Sequence, residues 1–529
     1  MCMRFLLINP FYPISETPSP PLGLAYLAAV LAREGITVKM TDFVVTPLSK
    51  ERLQAVISDF KPDMAGITAV TMTLKNAIEI MKDVKRLSPG TFTVIGGPHV
   101  TFSPEDALNS GIDAAVLGEG EETLIDLVRN VQDNRPLHGV AGIAFMENGA
   151  MFRTSARPFI QNIDSLPMPD RSIIPMVRYK ALNLPVSMTT SRGCPFQCIF
   201  CVGRKMVGAR VRYRSPKNVA DEFEFLASQG FPQINIADDL FTANHDHCNA
   251  FCDEILRRGI KTKWTSFARV DTVSVPLLEK MKEAGLTAVS FGVETGNAEI
   301  LKTIRKNITK DLVIEAVGKC LKAGVTPMAS FILGLPGETP DTMRESLEFS
   351  QKLTDMGCPN GFHLLAPFPG TSVRDEHKKY GIRILSDDWN DYHANRAIVE
   401  TQSVSAAMMN EKVIDWENKY LAYLGDIQER MKSNKALPHE IDQLKNLERT
   451  VLLYDLMMDR ALEDAGILDD ASFQEDAPLS GLIEYLAKRY EGKRGKSEKE
   501  LKQALEFAYN ADYIQKHSEG KGHRYTWSE

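Results

Sequence analysis

Cys194, Cys198 and Cys201, in the stretch Ser191-Arg-Gly-Cys-Pro-Phe-Gln-Cys-Ile-Phe-Cys201, restrict what this chain can build more than any other part of its sequence. A C-x3-C-x2-C array is tight enough to turn three thiolates toward one inorganic cluster. Clusters of the 4Fe–4S type usually take four cysteine ligands. The next cysteine is Cys248, so the array leaves one iron open to a non-protein ligand. Structural zinc wants four ligands in paired C-x2-C or Cys/His arrangements, which the neighbourhood lacks. Gly193 and Pro195 suit a tight loop, and the apolar Phe196, Ile199 and Phe200 would keep water from the sulfurs.

A chain of 529 residues is expected to form about three domains of ~150 residues, each able to bury a core. Apolar residues make up 43% and charged residues 25%, an ordinary globular balance. A net charge of −7 makes no general case for a nucleic-acid partner. Eight cysteines, three of them clustered, predict a reducing cytoplasm rather than a disulfide scaffold. The apolar run Leu22 to Leu31 is too short to cross a bilayer and is broken by Gly23, so neither a membrane span nor a targeting signal is expected.

Residues 1–150 alternate short apolar runs with helical patterns. Strands are expected at Phe5–Ile8, Thr37–Thr41, Met64–Thr68, Thr91–Ile95 and Ala114–Leu117, and helices at Leu22–Arg33, Lys50–Phe60, Leu74–Leu87, Pro104–Asn109 and Glu121–Val131. Five βα units with short connections predict a flavodoxin-like, doubly wound parallel sheet. Such sheets bind ligands at the carboxyl ends of their strands. Here those ends carry Asn9-Pro10, Ala69–Thr73, Gly96-Gly97-Pro98-His99 and Gly118-Glu119-Gly120-Glu121. Residues 151–183, with Pro167, Pro169 and Pro175, read as a linker.

Residues 184–375 repeat the βα alternation, with strands expected at Val186–Thr190, Gln233–Ala237, Lys263–Phe267, Ala288–Gly292, Met328–Leu333 and Gly361–Leu365. Six units predict a partial (β/α)6 TIM-type barrel whose chemistry gathers at the carboxyl ends of its strands. The cysteine loop follows the first strand. Asp238-Asp239-Leu-Phe-Thr242 follows the second, Ser290-Phe-Gly-Val-Glu-Thr-Gly296 ends the fourth and Gly334-Leu-Pro-Gly-Glu-Thr339 ends the fifth. The basic run Arg204, Lys205, Arg210, Arg212, Arg214 and Lys217 suits a solvated face, or the steering of an anionic substrate or reductant. Cys248, Cys252 and Cys320 sit in helical patterns as core thiols, with Cys358 near a loop. Residues 376–529 are mostly helical, with amphipathic segments at Val413–Met431, His439–Ala465, Ser480–Tyr490 and Lys499–Ala511, and with a polar tail, Lys516–Glu529, expected to be mobile or to cap a site.

The cysteine array resembles the signature of radical S-adenosylmethionine (radical SAM) enzymes, in which the open iron chelates the amino and carboxylate groups of SAM. Pro20-Pro21-Leu22-Gly23-Leu24, Gly96-Gly97-Pro98-His99 and Gly118-Glu119-Gly120-Glu121-Glu122-Thr123 resemble the cobalamin-binding domain that precedes many radical SAM domains. The resemblance implies a 4Fe–4S cluster on Cys194, Cys198 and Cys201, with SAM meeting Asp238, Asp239, Arg269, Glu294, Arg305 and Gly334. The arginines would grip the SAM carboxylate, and bare backbone at Gly334 would contact adenine. It further implies cobalamin against Pro10, Thr71, Gly96, Gly97, His99, Gly118, Glu119 and Gly120. The D-x-H-x-x-G motif that gives cobalt a histidine elsewhere is missing, so cobalamin is expected without it. His99 is expected near the corrin edge rather than on cobalt, because no partner orients it.

The activity implied is reductive cleavage of SAM to a 5′-deoxyadenosyl radical, fed by a flavodoxin- or ferredoxin-type donor. It would serve methylation of an unactivated carbon on a small-molecule substrate. A non-methylating cyclase or rearrangement enzyme uses the same parts. Methylthiotransferases of tRNA carry further cysteines in the first domain, where this chain has Cys2 alone. A non-catalytic cobalamin or redox sensor is the remaining alternative.

Overall fold

A computed structural model describes every residue except 1–2, 14–17, 394, 470–477, 494–495, 521 and 529, so Cys2 lies outside the described residues. In the first domain β1 (Arg4–Asn9), β2 (Thr37–Asp42), β3 (Met64–Thr68), β4 (Phe92–Gly96) and β5 (Ala114–Val116) pair in parallel in the order 2-1-3-4-5. Alternation along the strands separates two cores. On one face Phe5, Leu7, Met64, Val94 and Val116 pack against α1 (Leu22–Arg33). On the other, Leu6, Ile8, Ala65, Ile67 and Ile95 pack against α2 (Lys50–Phe60), α3 (Leu74–Leu87), α4 (Pro98–Phe102) and α5 (Glu105–Leu108). Helix α6 (Glu121–Gln132) joins α1 on the first face through Leu124, Leu127 and Val128.

The sheet is wider than the sequence suggested. β6 (Ile143–Glu147) and β7 (Ala150–Arg153) add an antiparallel hairpin beside β5. Asn148 and Gly149, at φ +50 and +79, form its tip. Asn-Gly between two short runs is a readable hairpin signal; what hid the outer strand is its full exposure on the sheet edge. Helix α7 (Met176–Ala181) then leads into β8 (Val186–Met188). Its Tyr179 hydroxyl donates to buried Asp42 at 2.8 Å and so fastens the linker to the end of β2.

The second sheet runs β15-β14-β13-β12-β11-β8, all parallel. Around its opening lie β9 (Ser191–Arg192), α8 (Gly203–Val207) and β10 (Arg212–Tyr213). The repeating units are α9 (Pro216–Ser228), β11 (Ile234–Ile236), α10 (His245–Arg258), β12 (Trp264–Ala268), α11 (Val275–Glu283), β13 (Leu286–Glu294), α12 (Ala298–Thr303), α13 (Lys310–Lys322), β14 (Thr326–Leu333), α14 (Pro340–Asp355) and β15 (Asn360–Leu364). Serine, threonine, asparagine and proline caps precede the long helices, as at Ser215 with Pro216 and at Thr339 with Pro340. Cys248, Cys252, Cys320 and Cys358 are buried within this core.

Beyond it come α15 (Ser372–Asp375), β16 (Arg383–Ile384), β17 (Val399–Glu400), α16 (Ala406–Lys432), α17 (Pro438–Met458), α18 (Ala461–Ala465), β18 (Ile467–Asp469), α19 (Ser480–Arg489), α20 (Glu498–Asn510), β19 (Ile514–Glu519) and β20 (Gly522–Trp527). The tail is neither loose nor a cap. β19 and β20 pair as a hairpin beside β18, and burial of Tyr525 and Trp527 in the large core supplies the anchor that a polar composition concealed. Among the described residues no helix is long and apolar enough to cross a membrane.

A buried triad ties the linker to the barrel. Glu222 on α9 is fully buried and accepts from Arg171 at 2.6 Å and from Arg214 at 2.5 Å. Removing one member of a buried charge set strands the others without water. Glu222→Ala should therefore cost about 3–5 kcal/mol, read as a lower midpoint in urea unfolding; a midpoint within error of wild type would refute this role.

Candidate functional site

The cysteine loop is held from beneath by backbone. Gly193 sits at φ +127, and a Cβ there would lie 2.3 Å from the Arg210 carbonyl oxygen, so only glycine fits. The Cys194 amide donates to Gly208 O at 3.0 Å, Ile199 N to Ile304 O at 3.2 Å and Val373 N to Ile199 O at 3.0 Å. Burial pushes all three thiols up, and neighbouring negative charge, Asp239 at Cys194 and Cys201 and Glu294 at Cys198, raises each further. Lys306 and Arg269 work the other way at Cys194 and Cys198.

These residues fit a cluster rather than a single ion. Among the described residues, no three His, Cys, Asp or Glu side chains close on one metal ion. Thiolates bound to separate irons stand further apart than ligands sharing one ion. The Gly203 amide donates to Cys201 Sγ at 3.3 Å, and Arg269 stacks on Phe196, 3.7 Å from the ring centre. Donors and cations are thus aimed at sulfurs that would carry negative charge.

Around the loop, the expected SAM contacts divide. Asp239 lines the larger cavity beside Cys201, with an oxygen 3.2 Å from where a Gly203 Cβ would be. Glu294 lines a second cavity of about 320 Å³ with Phe200, Ser330, Ile332 and His363. It stands at φ +70, where β13 shifts register against β14, and is paired with Lys306 at 2.6 Å. Gly334, at φ +87, has no room for a side chain, since its Cβ would meet Met409 Sδ at 2.8 Å. Its amide donates to Glu338 at 2.5 Å.

Three expectations are corrected. Asp238 is fully committed, accepting from the Thr190 amide, the Thr190 hydroxyl and the Ser191 hydroxyl, each at 2.6 Å. It braces the strand end rather than facing a ligand. Arg269 spends its fork on Asp271, at 3.0 Å twice, and on Lys306 O at 3.1 Å. Arg305 has an exposed side chain, and its carbonyl rather than its guanidinium faces Cys198 Sγ, at 4.0 Å. Lys306, the buried cation between Glu294 and the thiols, was missed because a lysine one residue past Arg305 carries no spacing signal.

The larger cavity, about 570 Å³, opens where the two sheets meet. Gly96, Gly97, Gly118, Glu119 and Gly120 wall it from the first domain, and Thr189, Arg192, Met206, Val207 and Asp239 from the barrel side. It continues under α1 and α6 as an apolar slot to Phe5, Leu7, Val94 and Val116. Nothing lies within 4 Å of a Cβ built on Gly118, so a side chain there would project into open space. None of the lining residues is histidine or cysteine. A large, flat, mostly apolar ligand fits these walls without an axial nitrogen from the protein.

Pro10, Thr71 and His99 do not line this cavity. His99 is buried with its Nε2 3.0 Å from Asp106, so a partner does orient it, and its ring meets the edge of Trp389 at 4.8 Å. Lys75, beside the Thr71 turn, pairs with Asp388 at 2.7 Å. The segment after the barrel thus covers this end of the sheet, a long-range contact that no local pattern announces.

Charged residues hold the two walls together. Arg192 donates to Glu119 at 3.1 Å and to Glu121 at 2.6 Å, and lies 5.3 Å from the Tyr26 ring centre. Arg212 donates twice to Glu119, at 3.0 and 2.9 Å. Burial opposes charge on Glu119, yet Arg212, the Ile160 amide and Arg192 outweigh it and hold the carboxyl below its usual range.

Comparisons with known proteins fit this geometry. Residues 15–128 match the B12 binding domain and residues 188–350 the radical SAM superfamily. An uncharacterized methyltransferase of Pyrococcus horikoshii is 36% identical, over 74% of this chain and 86% of its own length. An anaerobic magnesium-protoporphyrin IX monomethyl ester cyclase of Rubrivivax gelatinosus is 30% identical, over 78% and 76%. The fold is shared with the cobalamin-dependent SAM radical enzyme OxsB (TM-score 0.70, 18% identity, 96% of this chain and 81% of that one). It is also shared with the radical SAM methyltransferase TsrM of Kitasatospora setae (TM-score 0.63, 21% identity, 74% and 82%).

Burial raises the Glu338 carboxyl to about 7, and its Oε1 has no hydrogen-bond partner. The folded state therefore keeps this proton longer than the unfolded chain does, so the stabilisation is complete below about 4.5 and is lost as pH rises through about 7. Glu338→Gln, which keeps an acceptor for the Gly334 amide, should flatten the stability profile across that window by up to ~3 kcal/mol. Unfolding midpoints measured from pH 5 to 8 check it, and an unchanged slope would refute it.

Proposed function

This chain belongs to the cobalamin-dependent radical SAM enzymes, and from that premise we propose that it methylates an unactivated carbon of a small-molecule acceptor. The supporting observation is the shared cavity, whose walls come at once from the glycine loops of the first domain and from residues flanking the cysteine loop. When bound, a 4Fe–4S cluster on Cys194, Cys198 and Cys201 would supply the electron for reductive cleavage of SAM, and cobalamin against the glycine loops would supply the methyl carrier.

The chain supplies placement. Cys194, Cys198 and Cys201 would hold three irons and leave the fourth to SAM. Glu294, fixed by its ion pair with Lys306, is positioned for a hydroxyl of the nucleoside. Asp239, which accepts from the Gly193 amide, has no side-chain partner among the described residues and lines the cavity, suits the SAM ammonium group. Gly334, expected at the adenine, spends its amide on Glu338 and offers no free donor to a base. Phe196, Ile199 and Phe200 exclude water, which keeps a reactive radical from being quenched. Gly96, Gly97, Gly118 and Gly120 let backbone approach the corrin closely, and Arg192 fixes their loop over the barrel mouth. The electron would come from a flavodoxin- or ferredoxin-type protein, in a reducing cytoplasm where the four described cysteines outside the array, Cys248, Cys252, Cys320 and Cys358, persist as thiols.

The likeness to a cyclase sustains a second reading, in which the acceptor radical closes a ring without gaining a methyl group. Products separate the two. Anaerobically reconstituted, reduced enzyme with its acceptor should form S-adenosylhomocysteine and 5′-deoxyadenosine in equal amounts. Cyclisation yields only the latter, and a sensor yields neither. Serine at any of the three cysteines should lower bound iron and abolish both products; retained turnover would overturn the assignment.

A further inference from the structure

The basic run of the sequence resolves into two groups. Arg212 and Arg214 are buried and spent on Glu119 and Glu222. Lys205 and Arg210 instead are exposed beside the cysteine loop, with Arg204 partly so, and two further cations join them from distant sequence.

Each cation is carried on a segment whose backbone or side chain touches that loop or its support. Arg204 donates to the Pro195 carbonyl at 2.5 Å. The Arg210 carbonyl lies under Gly193. The Arg305 carbonyl faces Cys198 Sγ at 4.0 Å. Lys205 donates to Gly370 O at 2.6 Å, and helix α15 hydrogen-bonds to Ile199 through Val373. Lys379 follows α15, and the Glu376 carboxylate beside it feels Lys379, Arg305 and Lys205 together. Among the described residues Arg210 and Arg305 have no ion-pair partner, while Lys205 meets Asp375 at 3.6 Å and Lys379 meets Glu376. Five cations thus face two carboxylates on a chain whose net charge is −7. Cys201, the most exposed of the three cysteines, stands three residues before Arg204 and four before Lys205.

We propose that this rim is the docking surface for an acidic, low-potential one-electron carrier protein. The inference rests on the radical SAM reading above. A positive collar steers an anionic partner and shortens its search, and docking here sets the carrier's redox group against the cysteine loop. One electron leaves a flavin hydroquinone, which becomes the semiquinone, and enters the oxidised cluster.

The test uses reconstituted holoenzyme and flavodoxin. Surface plasmon resonance would give flavodoxin affinity as a function of ionic strength for wild type, for Arg210→Glu/Lys379→Glu, and for Lys82→Glu/Lys488→Glu, which makes the same charge change on distant helices. The rim variant should bind at least about tenfold more weakly at low salt and with a shallower salt dependence, and the distant variant as wild type. Glutamine at the same rim positions should fall between. Dithionite-driven 5′-deoxyadenosine formation should be unchanged in the rim variant while flavodoxin-driven formation falls. Equal flavodoxin affinity in wild type and rim variant, or equal loss in the distant variant, would overturn the surface. Absence of 5′-deoxyadenosine from dithionite-reduced wild type would instead overturn the radical SAM reading, leaving the binding result to stand or fall alone.

Discussion

The contact on which this architecture depends is the buried exchange of charge between Glu119 and Glu121 on the first domain and Arg192 and Arg212 beside the barrel. Buried ion pairs are poor sources of net stability, because desolvating each charge costs about what the pairing returns. Their consequence is geometric. A bidentate guanidinium accepts one arrangement of carboxylates, and two guanidiniums sharing two acids leave little freedom to slide. Glu119 lies between Gly118 and Gly120, and Arg192 immediately precedes the glycine under the cysteine loop. One network therefore sets the distance and tilt between the glycine loop and the cysteine loop. A shift of about 1 Å between reacting groups can cost a hundredfold in rate, so a stiff joint here matters more than its modest free energy.

Much of this was legible in the sequence because the signals are local. Periodicity placed Leu22–Arg33, Lys50–Phe60 and Leu74–Leu87 with the bounds they have in the structure. The glycine pairs at strand ends pointed to loops that wall the larger cavity, since a positive φ or a close backbone approach is a property of the residue itself. Direction was not legible. Position at a strand end says that Asp238 and Asp239 are near the mouth, but not that the first turns inward to brace Thr190 and Ser191 while the second opens to the cavity. The two differ by one residue, and in extended backbone that reverses the face.

Arg269 and Arg305 illustrate a second limit. Their residue type suited a carboxylate, but whether a guanidinium is available depends on what else reaches it. Asp271, two residues on, takes both arms of Arg269. Lys306, beside Arg305, takes the inward position, because the backbone at Arg305 adopts φ +58 and turns successive side chains apart. The tail failed for a related reason. Composition called Lys516–Glu529 polar, yet two aromatic side chains on one hairpin face suffice to bury it.

The coverage of Pro10, Thr71 and His99 by Trp389 and its neighbours bears on how the site works. A doubly wound sheet offers its whole carboxyl edge to a ligand, but here the β1–β3 end is occupied by the chain that returns from the barrel. Arg374 stacks on Trp389 at 4.5 Å and donates to Tyr392 at 2.8 Å, so the cover is itself pinned to the segment that follows β15. The cavity therefore opens beside the carboxyl ends of β3, β4 and β5 and runs under α1 toward β1, with Asp239 and Arg192 on its barrel side. Two elements far apart in sequence, the charged latch at Glu119 and the aromatic cover at Trp389, thus bound the same sheet edge from opposite ends.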